Sequence, residues 1–513
     1  MATALVLVAI SRYGPGLSPD STNYVAAARH FRAGEGFRGY DGTPFVKWPP
    51  LLPMALAAFG LAGSNIIWVG GVLNAVAYGA IVFVSGRMLY RYSRGSAPVI
   101  LGTLCVTFSL PLFRVCTMLW SEPLFILLVL LSLWQLNRFC HQPSSGRLVR
   151  SALLVSAATL TRYTGVTIGA TGCVLILFLL RVPLRKRLSA CLLFGAIAAV
   201  PPAIWLGRNW FVTGTLAGKR APSAVTLMQN VSRSGKELAI FFVPRRIVFS
   251  ARFPARVFFV ALVGTALAMT VFLSRRRSNR NTSCGGTYVL CIATFSIIYL
   301  AMLLVSATLT AFDGIDERLL SPLYVPGVFL AFLAFDELVL ASRNDTGANH
   351  QCLKPVLRLL VVLAVTSAVL WNAFAAARRS GRVAEAVSNG AGGYNSRSWR
   401  KSEAIASLRS GSPSARMYSN RPAALYVLAG IPASKSPAKR FYASKKGTGV
   451  TSTNLFARYP GLDGSLLVWF HPNWGDYLFT VEELSNMCTL TPHAKFEDAT
   501  IYRVRRSQQA PRS

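Results

Sequence analysis

Long apolar runs, separated by short polar segments, recur along most of the chain. Such runs are typical of helices that cross a bilayer, because a hydrocarbon core of about 30 Å requires about 20 residues of helix. We therefore predict a polytopic α-helical membrane protein with about eleven transmembrane helices. The candidate spans are residues 2–13, 66–86, 97–113, 123–139, 149–161, 164–181, 188–206, 257–274, 286–305, 322–341 and 357–376.

The first apolar run, from Ala2 to Ile10, is too short to cross a bilayer. It also lacks the basic segment and the cleavage site that characterise a signal peptide. We expect the natural chain to start upstream of Met1.

The tail after Ala376 has no further long apolar run. Its pattern predicts a small α/β domain over residues 377–513, following a transmembrane domain over residues 1–376. We expect residues 431–453, which are rich in Gly, Ser and Lys, to form a mobile loop. The expected helices are 399–408, 422–429 and 480–488, and the expected strands are 415–419, 465–470 and 499–504.

The composition agrees with a membrane protein, since 53% of the 513 residues are hydrophobic and 14% are charged. Lys and Arg number 54 against 19 Asp and Glu, which gives a formal charge of +35. Such a charge can indicate nucleic-acid binding, but the cations lie in short clusters between apolar runs and no nucleic-acid-binding motif accompanies them. The partner that we predict for them is the lipid bilayer, and we expect no nucleic acid.

The basic clusters also predict the orientation of the chain. Residues 87–94, 138–150, 181–187 and 275–280 contain no acid and fall on alternate connections, so they belong on the cytoplasmic side. The amino terminus is then inside, and the C-terminal domain is outside. Residues 208–256 are also basic yet fall outside, and we expect Phe241 to Phe253 to lie in the membrane interface as an amphipathic helix. The other expected outer segments are 14–65, 114–122, 161–164 and 306–321.

Two acids fall at this outer side, Asp20 in the first long loop and Glu122 before the proline that opens the fourth span. Asp20 could cap a helix, and Glu122 could interact with the positive end of a helix dipole. Gathered at one depth, the same two acids could bind a divalent cation, or act as a base and its orienting partner.

Two arginines accompany these acids. Arg162 interrupts a long apolar stretch, and Arg318 stands at the head of another span. A guanidinium in such a place requires an anionic partner. The partner is either a structural carboxylate or a phosphate, which the planar guanidinium can bind through two parallel hydrogen bonds. Motifs for nucleotide hydrolysis, serine-hydrolase chemistry and zinc proteases are absent from the sequence.

Several short motifs in this order resemble the GT-C glycosyltransferases, in particular the branch of dolichyl-phosphate-mannose protein mannosyltransferases and lipid A aminoarabinose transferase. The resemblance extends over most of the chain, although no single motif is specific. The motifs are Asp20 followed by Tyr24 and Gly34-Glu-Gly36, then Pro49-Pro-Leu-Leu-Pro53, Ser121-Glu-Pro-Leu-Phe125, Leu160-Thr-Arg162, Arg208-Asn209 with Thr213-Gly214, and Glu317-Arg-Leu-Leu-Ser-Pro322.

The resemblance implies an inverting transfer of a sugar from a polyprenyl-phosphate donor to an acceptor at the outer face. It implies that Asp20 is the general base, that Glu122 is the second catalytic acid, and that Arg318 neutralises the donor phosphate. We expect Arg162 and Lys47 to bind that phosphate as well. A divalent metal cation on Asp20 and Glu122 is the candidate cofactor. The acceptor is a lipid, a glycan or a protein, the sugar a hexose or a pentose, and the plasma or inner membrane the expected location.

Two other functions stay open at this point. A transporter or flippase of lipid-linked sugars would typically show internal repeats and ionisable groups near the bilayer midplane, whereas these acids cluster at one surface. A membrane protein without catalysis, whose outer tail binds a partner, is the third alternative.

Overall fold

The structure is a computed structural model and describes residues 1–60, 65–241, 245–249, 254–278, 283–341, 353–411, 414–472 and 475–507. Within these residues, seven helical segments are long and apolar enough to cross a membrane, and Tyr163–Leu179 is a shorter apolar helix. The seven are Ile66–Tyr92, Ser96–Thr117, Glu122–His141, Leu184–Thr213, Ala255–Phe272, Gly286–Leu309 and Glu317–Asp336.

Each predicted span falls largely in helix, which confirms a polytopic α-helical membrane protein, while the count of about eleven transmembrane helices stays a prediction. The helices are α1 (Ala2–Ile10), α2 (Pro19–Arg32), α3 (Leu51–Phe59), α4 (Ile66–Tyr92), α5 (Ser96–Thr107), α6 (Leu110–Thr117), α7 (Glu122–His141), α8 (Ser145–Thr161), α9 (Val166–Leu179), α10 (Leu184–Thr213), α11 (Leu227–Ile240), α12 (Arg245–Val248), α13 (Ala255–Ser278), α14 (Ser283–Leu309), α15 (Glu317–Leu320), α16 (Tyr324–Ala341) and α17 (Leu353–Ser388). Short 3-10 turns at Tyr163–Gly165 and Ser321–Leu323 precede α9 and α16.

One predicted span is broken into two helices. Helix α5 ends at Thr107, and α6 starts anew because the Ser109 side chain accepts a hydrogen bond from the Leu112 backbone N–H and Pro111 suits a first helical turn. The break directs the chain into the connection that carries Glu122.

Helix α7 lies inside the bundle and packs against α4, α8 and α14. Polar side chains within the bundle find partners across helices: Asn137 donates to the Tyr92 hydroxyl at 2.7 Å, and the rings of Tyr92 and Tyr288 stack with centroids 4.4 Å apart. A hydrogen bond between buried side chains removes much of the cost of placing polar groups in hydrocarbon. These contacts thus link α7 to α4, and α4 to α14.

The long connection between α10 and α13 contains the amphipathic helix α11, which packs against α13 and α14. The amphipathic helix that we expected at Phe241 to Phe253 lies partly outside the described residues, which include the one-turn helix α12 in that segment.

The C-terminal part contains a five-stranded mixed sheet in the order β2-β1-β3-β5-β4. Strand β1 pairs in parallel with β2 and β3, whereas β5 is antiparallel to β3 and β4. Apolar side chains cover both faces, which confirms a small α/β domain. The strands are β1 (Met417–Ser419), β2 (Ser434–Lys435), β3 (Leu466–Phe470), β4 (Thr489–Lys495) and β5 (Ala499–Arg505), and the helices are α18 (Arg397–Arg400), α19 (Glu403–Gly411), α20 (Pro422–Ala424), a π-helical turn Leu425–Ala429, α21 (Leu455–Arg458) and α22 (Val481–Ser485).

Two features of this domain differ from the expectation. The strands β2 and β4 were not predicted, and the segment expected to be a mobile loop contains a β-bridge between Arg440 and Gly447. Helix α17 continues to Ser388, so the division of the chain after residue 376 stays a prediction.

A backbone ladder joins the C-terminal part to the helical bundle. The Gly16 N–H donates to the Thr117 carbonyl at 2.9 Å, and the Leu17 N–H donates to the Gly392 carbonyl at 3.0 Å. The Tyr394 N–H returns a bond of 2.9 Å to the Leu17 carbonyl. Three distant segments of the chain therefore meet directly before α2.

Candidate active site

Asp20 lies in the first turn of α2, two residues after the cap of that helix. Ser18 accepts from the Ser21 backbone N–H, and the Ser21 side chain accepts from the Ser18 N–H in return. The interpretation of Asp20 as a helix cap is therefore wrong, because Ser18 has that role. The Asp20 carboxylate is free for another contact, and its side chain is 25% exposed.

Glu122 is the first residue of α7, followed by a proline, and its side chain is only 1% exposed. Its Oε1 accepts from Arg162 Nη1 at 2.5 Å and from Arg318 Nε at 2.5 Å. Its Oε2 is buried and has no hydrogen-bond partner among the described residues. Two cations on one carboxylate oxygen show that Glu122 does more than interact with a helix dipole.

Arg318 joins the two acids. While its Nε bonds Glu122, its Nη2 lies 2.9 Å from Asp20 Oδ2. Helix α15 places it there, because Asp316 caps that helix by accepting from the Leu319 N–H at 2.9 Å. The four residues predicted to share one side of the membrane thus form one network of ion pairs, which we call the acid–arginine cluster: Asp20, Arg318, Glu122 and Arg162.

Arg162 enters this cluster where α8 ends. Its backbone is extended between α8 and the 3-10 turn that follows, and its Nη1 also donates to Ser121 Oγ at 3.0 Å. The Ser121 hydroxyl in turn lies 3.3 Å from the Tyr24 hydroxyl. The ends of α2, α7, α8 and α15 therefore meet at one end of the bundle, which we call the site end.

The pKa of Asp20 is raised, first because the surrounding protein removes much of the water from this partly buried carboxyl group. Arg318 opposes this shift by favouring the carboxylate, while the negative charges of Asp313 and Glu122 raise the pKa further. A carboxylate that binds protons more tightly is a stronger base, provided that the pH keeps it ionised.

Lys47 is the one predicted phosphate ligand that stays outside the acid–arginine cluster. Its side chain packs over Gly218, whose φ is +77°, and it forms no ion pair within the described residues. Burial, and then the charge of Lys435, lowers its pKa. Lys47 therefore lies at the junction of the first loop with the connection after α10.

A further residue of the site, Trp120, was not singled out from the sequence. The Arg318 guanidinium lies over the Trp120 ring, 4.2 Å from its centroid, and the indole N–H donates to Ser18 Oγ at 2.9 Å. The position of Trp120 two residues before Glu122 is the signal in the sequence that could have indicated it.

Arg208 and Asn209, part of the resemblance, fasten the first loop to α10. Arg208 donates to the backbone carbonyls of Phe45 at 2.9 Å and Phe37 at 3.1 Å. Asn209 donates to the Tyr163 hydroxyl at 3.3 Å and to the Leu216 carbonyl at 2.9 Å. These contacts hold the loop in place and do not reach the acids.

Comparison with known proteins gives no matching family model and no matching curated sequence. Solved structures do match. The crystal structure of ArnT from Cupriavidus metallidurans in the apo state covers 97% of this chain and 95% of its own, at 11% identity and a TM-score of 0.61. The same protein bound to undecaprenyl phosphate covers 100% and 98%, at 12% identity and a TM-score of 0.60.

A third match is the Archaeoglobus fulgidus oligosaccharyltransferase tethered with an acceptor peptide that contains the NVT sequon. It covers 85% of this chain and 62% of its own, at 12% identity and a TM-score of 0.50. ArnT, the aminoarabinose transferase, and the archaeal oligosaccharyltransferase are both GT-C structures. The chain has the GT-C fold.

The acid–arginine cluster contains two carboxylates and two guanidinium groups, so its charges balance without a metal ion. Asp20 and Glu122 both bond to guanidinium groups, and the described residues contain no group of three or more His, Cys, Asp or Glu side chains that could hold a metal ion. A divalent cation would find only two carboxylates there, and the charges of both are already balanced by two arginines. The residues as they stand do not fit a metal.

Proposed function

We propose that the protein is a membrane glycosyltransferase that moves a sugar from a polyprenyl-phosphate donor to an acceptor at the site end of the bundle. The observation that carries this proposal is the acid–arginine cluster, which places a carboxylate with a raised pKa directly beside a guanidinium. The GT-C fold, seen in ArnT with undecaprenyl phosphate, supports the donor class.

The reaction requires one carboxylate and one or two cations. An acceptor hydroxyl attacks the anomeric carbon of the sugar while Asp20 removes the proton from that hydroxyl. The bond from the anomeric carbon to the phosphate oxygen breaks, and its electron pair leaves with the polyprenyl phosphate. A single displacement of this kind inverts the anomeric centre, so one base and no covalent intermediate are needed.

Arg318 and Arg162 are the donor-phosphate ligands in this proposal. Each is about as buried as the other, with side chains 15% exposed, and each donates to Glu122 from one nitrogen. A guanidinium has five N–H donors, so contact with Glu122 leaves donors for phosphate oxygens. The negative charge that develops on the leaving phosphate is then stabilised at a site from which water is largely excluded.

Glu122 has the orienting role. It bonds both arginines and, together with Asp20, balances their two positive charges in the absence of donor. Lys47 stands apart from this cluster, and its role as a third phosphate ligand requires that the donor extend toward the first loop.

The site end of the bundle lies on the extracytoplasmic side of the membrane in this proposal, and the acceptor binds there. The basic connections 87–94, 138–150 and 181–187 favour a cytoplasmic position for the opposite helix ends, which puts the site end outside the cell membrane. The acceptor is a lipid, glycan or protein at that face. The oligosaccharyltransferase with its tethered peptide is one example of an acceptor bound to this fold.

The test is incubation of the purified protein with a panel of polyprenyl-phosphate sugars and measurement of released polyprenyl phosphate. Asp20→Asn is expected to abolish release while leaving membrane insertion intact. Asp41→Asn is the matched control, because Asp41 lies in the same loop but only accepts from the Thr43 N–H and hydroxyl. Full release by Asp20→Asn would exclude Asp20 as the base, and transbilayer movement of the donor without release would identify a flippase instead.

A further inference from the structure

The backbone around Trp120 is held by contacts from two directions. The Asn74 side chain, on α4, donates to the carbonyls of Met118 at 2.7 Å and Trp120 at 3.2 Å. The Leu119 N–H donates to the Gly16 carbonyl at 2.9 Å, within the ladder that precedes α2. These hydrogen bonds hold the backbone from which the Trp120 side chain extends.

The indole uses both its face and its edge. Its face lies 4.2 Å from Arg318 Cζ, and its N–H donates to Ser18 Oγ at 2.9 Å. Ser18 caps the helix that carries Asp20, and Arg318 bonds Asp20 directly. Trp120 thus contacts both Ser18, which caps the helix of Asp20, and Arg318, which pairs with Asp20.

Other tryptophan–arginine contacts in the described residues have different surroundings. Trp134 lies 5.5 Å from Arg138 at the opposite end of α7, and Trp205 lies 4.8 Å from Arg208, which bonds backbone carbonyls. An interfacial aromatic belt accounts for such residues. It does not account for a tryptophan that stacks on the arginine between two carboxylates.

We propose that Trp120 is a positioning residue that holds the Arg318 guanidinium between Asp20 and Glu122, so that the arginine meets the donor phosphate already oriented. This inference rests on the proposed function. The ring stabilises the cation on one face, the two acids bond its Nη2 and Nε, and the remaining N–H groups stay available to a phosphate.

Loss of the ring face should act on donor binding and on the base together. An Arg318 that is no longer stacked samples other rotamers, so the donor phosphate has to order it on binding. The same movement weakens the opposition of Arg318 to the raised pKa of Asp20, and Asp20 then requires a higher pH to ionise. The charged or titratable groups that interact with Asp20 are Arg318, Asp313, Glu122, Tyr24, Tyr40, Lys47 and Tyr442.

The experiment compares Trp120→Leu and Trp120→Phe with wild type and with Trp134→Leu, which removes the contact between Trp134 and Arg138 in the second half of α7. For Trp120→Leu we expect the donor KM to rise about tenfold, with an acid limb of the pH–activity profile moved to higher pH. Trp120→Phe keeps a ring face and should recover most of the loss, to within about threefold of wild type. Trp134→Leu should leave KM and the pH profile unchanged.

Three outcomes would overturn the inference. These are a folded Trp120→Leu protein with the wild-type KM and pH profile, a Trp120→Phe protein as impaired as Trp120→Leu, and equal effects of Trp120→Leu and Trp134→Leu. Direct binding of polyprenyl phosphate to each variant separates this inference from the proposed function. If wild type binds that lipid but releases none from any donor, the proposed function fails, while weaker binding by Trp120→Leu still supports the positioning role.

Discussion

Asp20 and Arg318 form an ion pair of 2.9 Å, although one lies in the first long loop and the other in the helix before α16. Arg318 also bonds Glu122, so its charge is shared between two acids before any substrate arrives. A donor phosphate that draws Arg318 toward itself would relieve part of this pairing at Asp20. If the proposed function holds, donor binding and the strength of Asp20 as a base are coupled through this one side chain.

Substitution of Arg318 should therefore change the pH dependence as well as the affinity. In Arg318→Met the neighbour that lowers the pKa of Asp20 is gone, while burial still raises that pKa, so Asp20 is protonated up to a higher pH. The acid limb of the pH–activity profile should move upward, and donor KM should rise at least tenfold. Arg318→Lys keeps the charge but not the forked geometry. Its acid limb and its donor KM should therefore lie between those of wild type and those of Arg318→Met.

The control for this variant is Arg440→Met, because Arg440 forms an exposed ion pair with Asp476 in the C-terminal domain. Its pH profile should match that of wild type. An acid limb of Arg318→Met at or below the wild-type position would show that the limb belongs to a group other than Asp20.

Glu122→Gln should lower stability as well as activity. The carboxylate that accepts from two arginines is buried, and removal of its charge leaves two guanidinium groups without their shared partner. Breaking a buried ion pair in this way costs about 3–5 kcal/mol. A thermal unfolding midpoint in detergent, measured beside transfer activity, checks both effects.

A surface pair gives the comparison for Glu122. Glu483 bonds Lys439 at 2.8 Å, and its side chain is 42% exposed, so Glu483→Gln should shift the midpoint little. Equal midpoints for the two variants would contradict the buried, doubly paired arrangement of Glu122.

Metal dependence is the part of the expected chemistry that the side chains support least. Because the two acids are neutralised by two arginines, we expect transfer to continue in EDTA and to gain nothing from added Mg²⁺ or Mn²⁺. The measurement is the release of polyprenyl phosphate before and after chelation. Loss of release in EDTA, restored by one of these ions, would show that Asp20 and Glu122 bind a metal after all.

Much of this arrangement could be predicted from the sequence, since lipid imposes long apolar runs and leaves basic residues in alternate loops. That pattern alone put Asp20, Glu122, Arg162 and Arg318 on one side of the membrane, and the structure brings them into contact. Their functional roles stay predictions, since no comparison tests them.

Other features could not be predicted because they depend on contacts between distant segments. Strand β4 has a largely exposed sequence and is a strand because it pairs with β5 along an edge of the sheet. Trp120 reads as an interfacial aromatic residue until Ser18 and Arg318 are beside it. Lys47 fits the chemistry of a phosphate ligand, yet nothing local indicates that it lies apart from the arginines.

Gly393 provides a test of the ladder before α2. Its φ is +57°, and a Cβ at this position would lie 2.0 Å from the Leu17 carbonyl oxygen. Gly393→Ala should therefore break the pairing of Gly393 with Leu17 and lower the thermal midpoint. It should also reduce transfer, because Leu17 leads directly into the helix of Asp20. Gly381→Ala, in α17 with open space around it, should do neither. An unaffected Gly393→Ala protein would mean that the ladder does not hold Asp20 in place.

The ladder also bears on how such a protein can be divided. The segment of Gly16 and Leu17 lies in the middle of the ladder. It pairs with the connection before α7 on one side and with the start of the C-terminal part on the other. A chain shortened after α17 would keep the predicted transmembrane helices but lose hydrogen bonds on one flank of the segment that leads to Asp20. In a chimera that exchanges C-terminal domains between relatives, residues 392–394 should accompany the membrane part, because their pairing partners reside there.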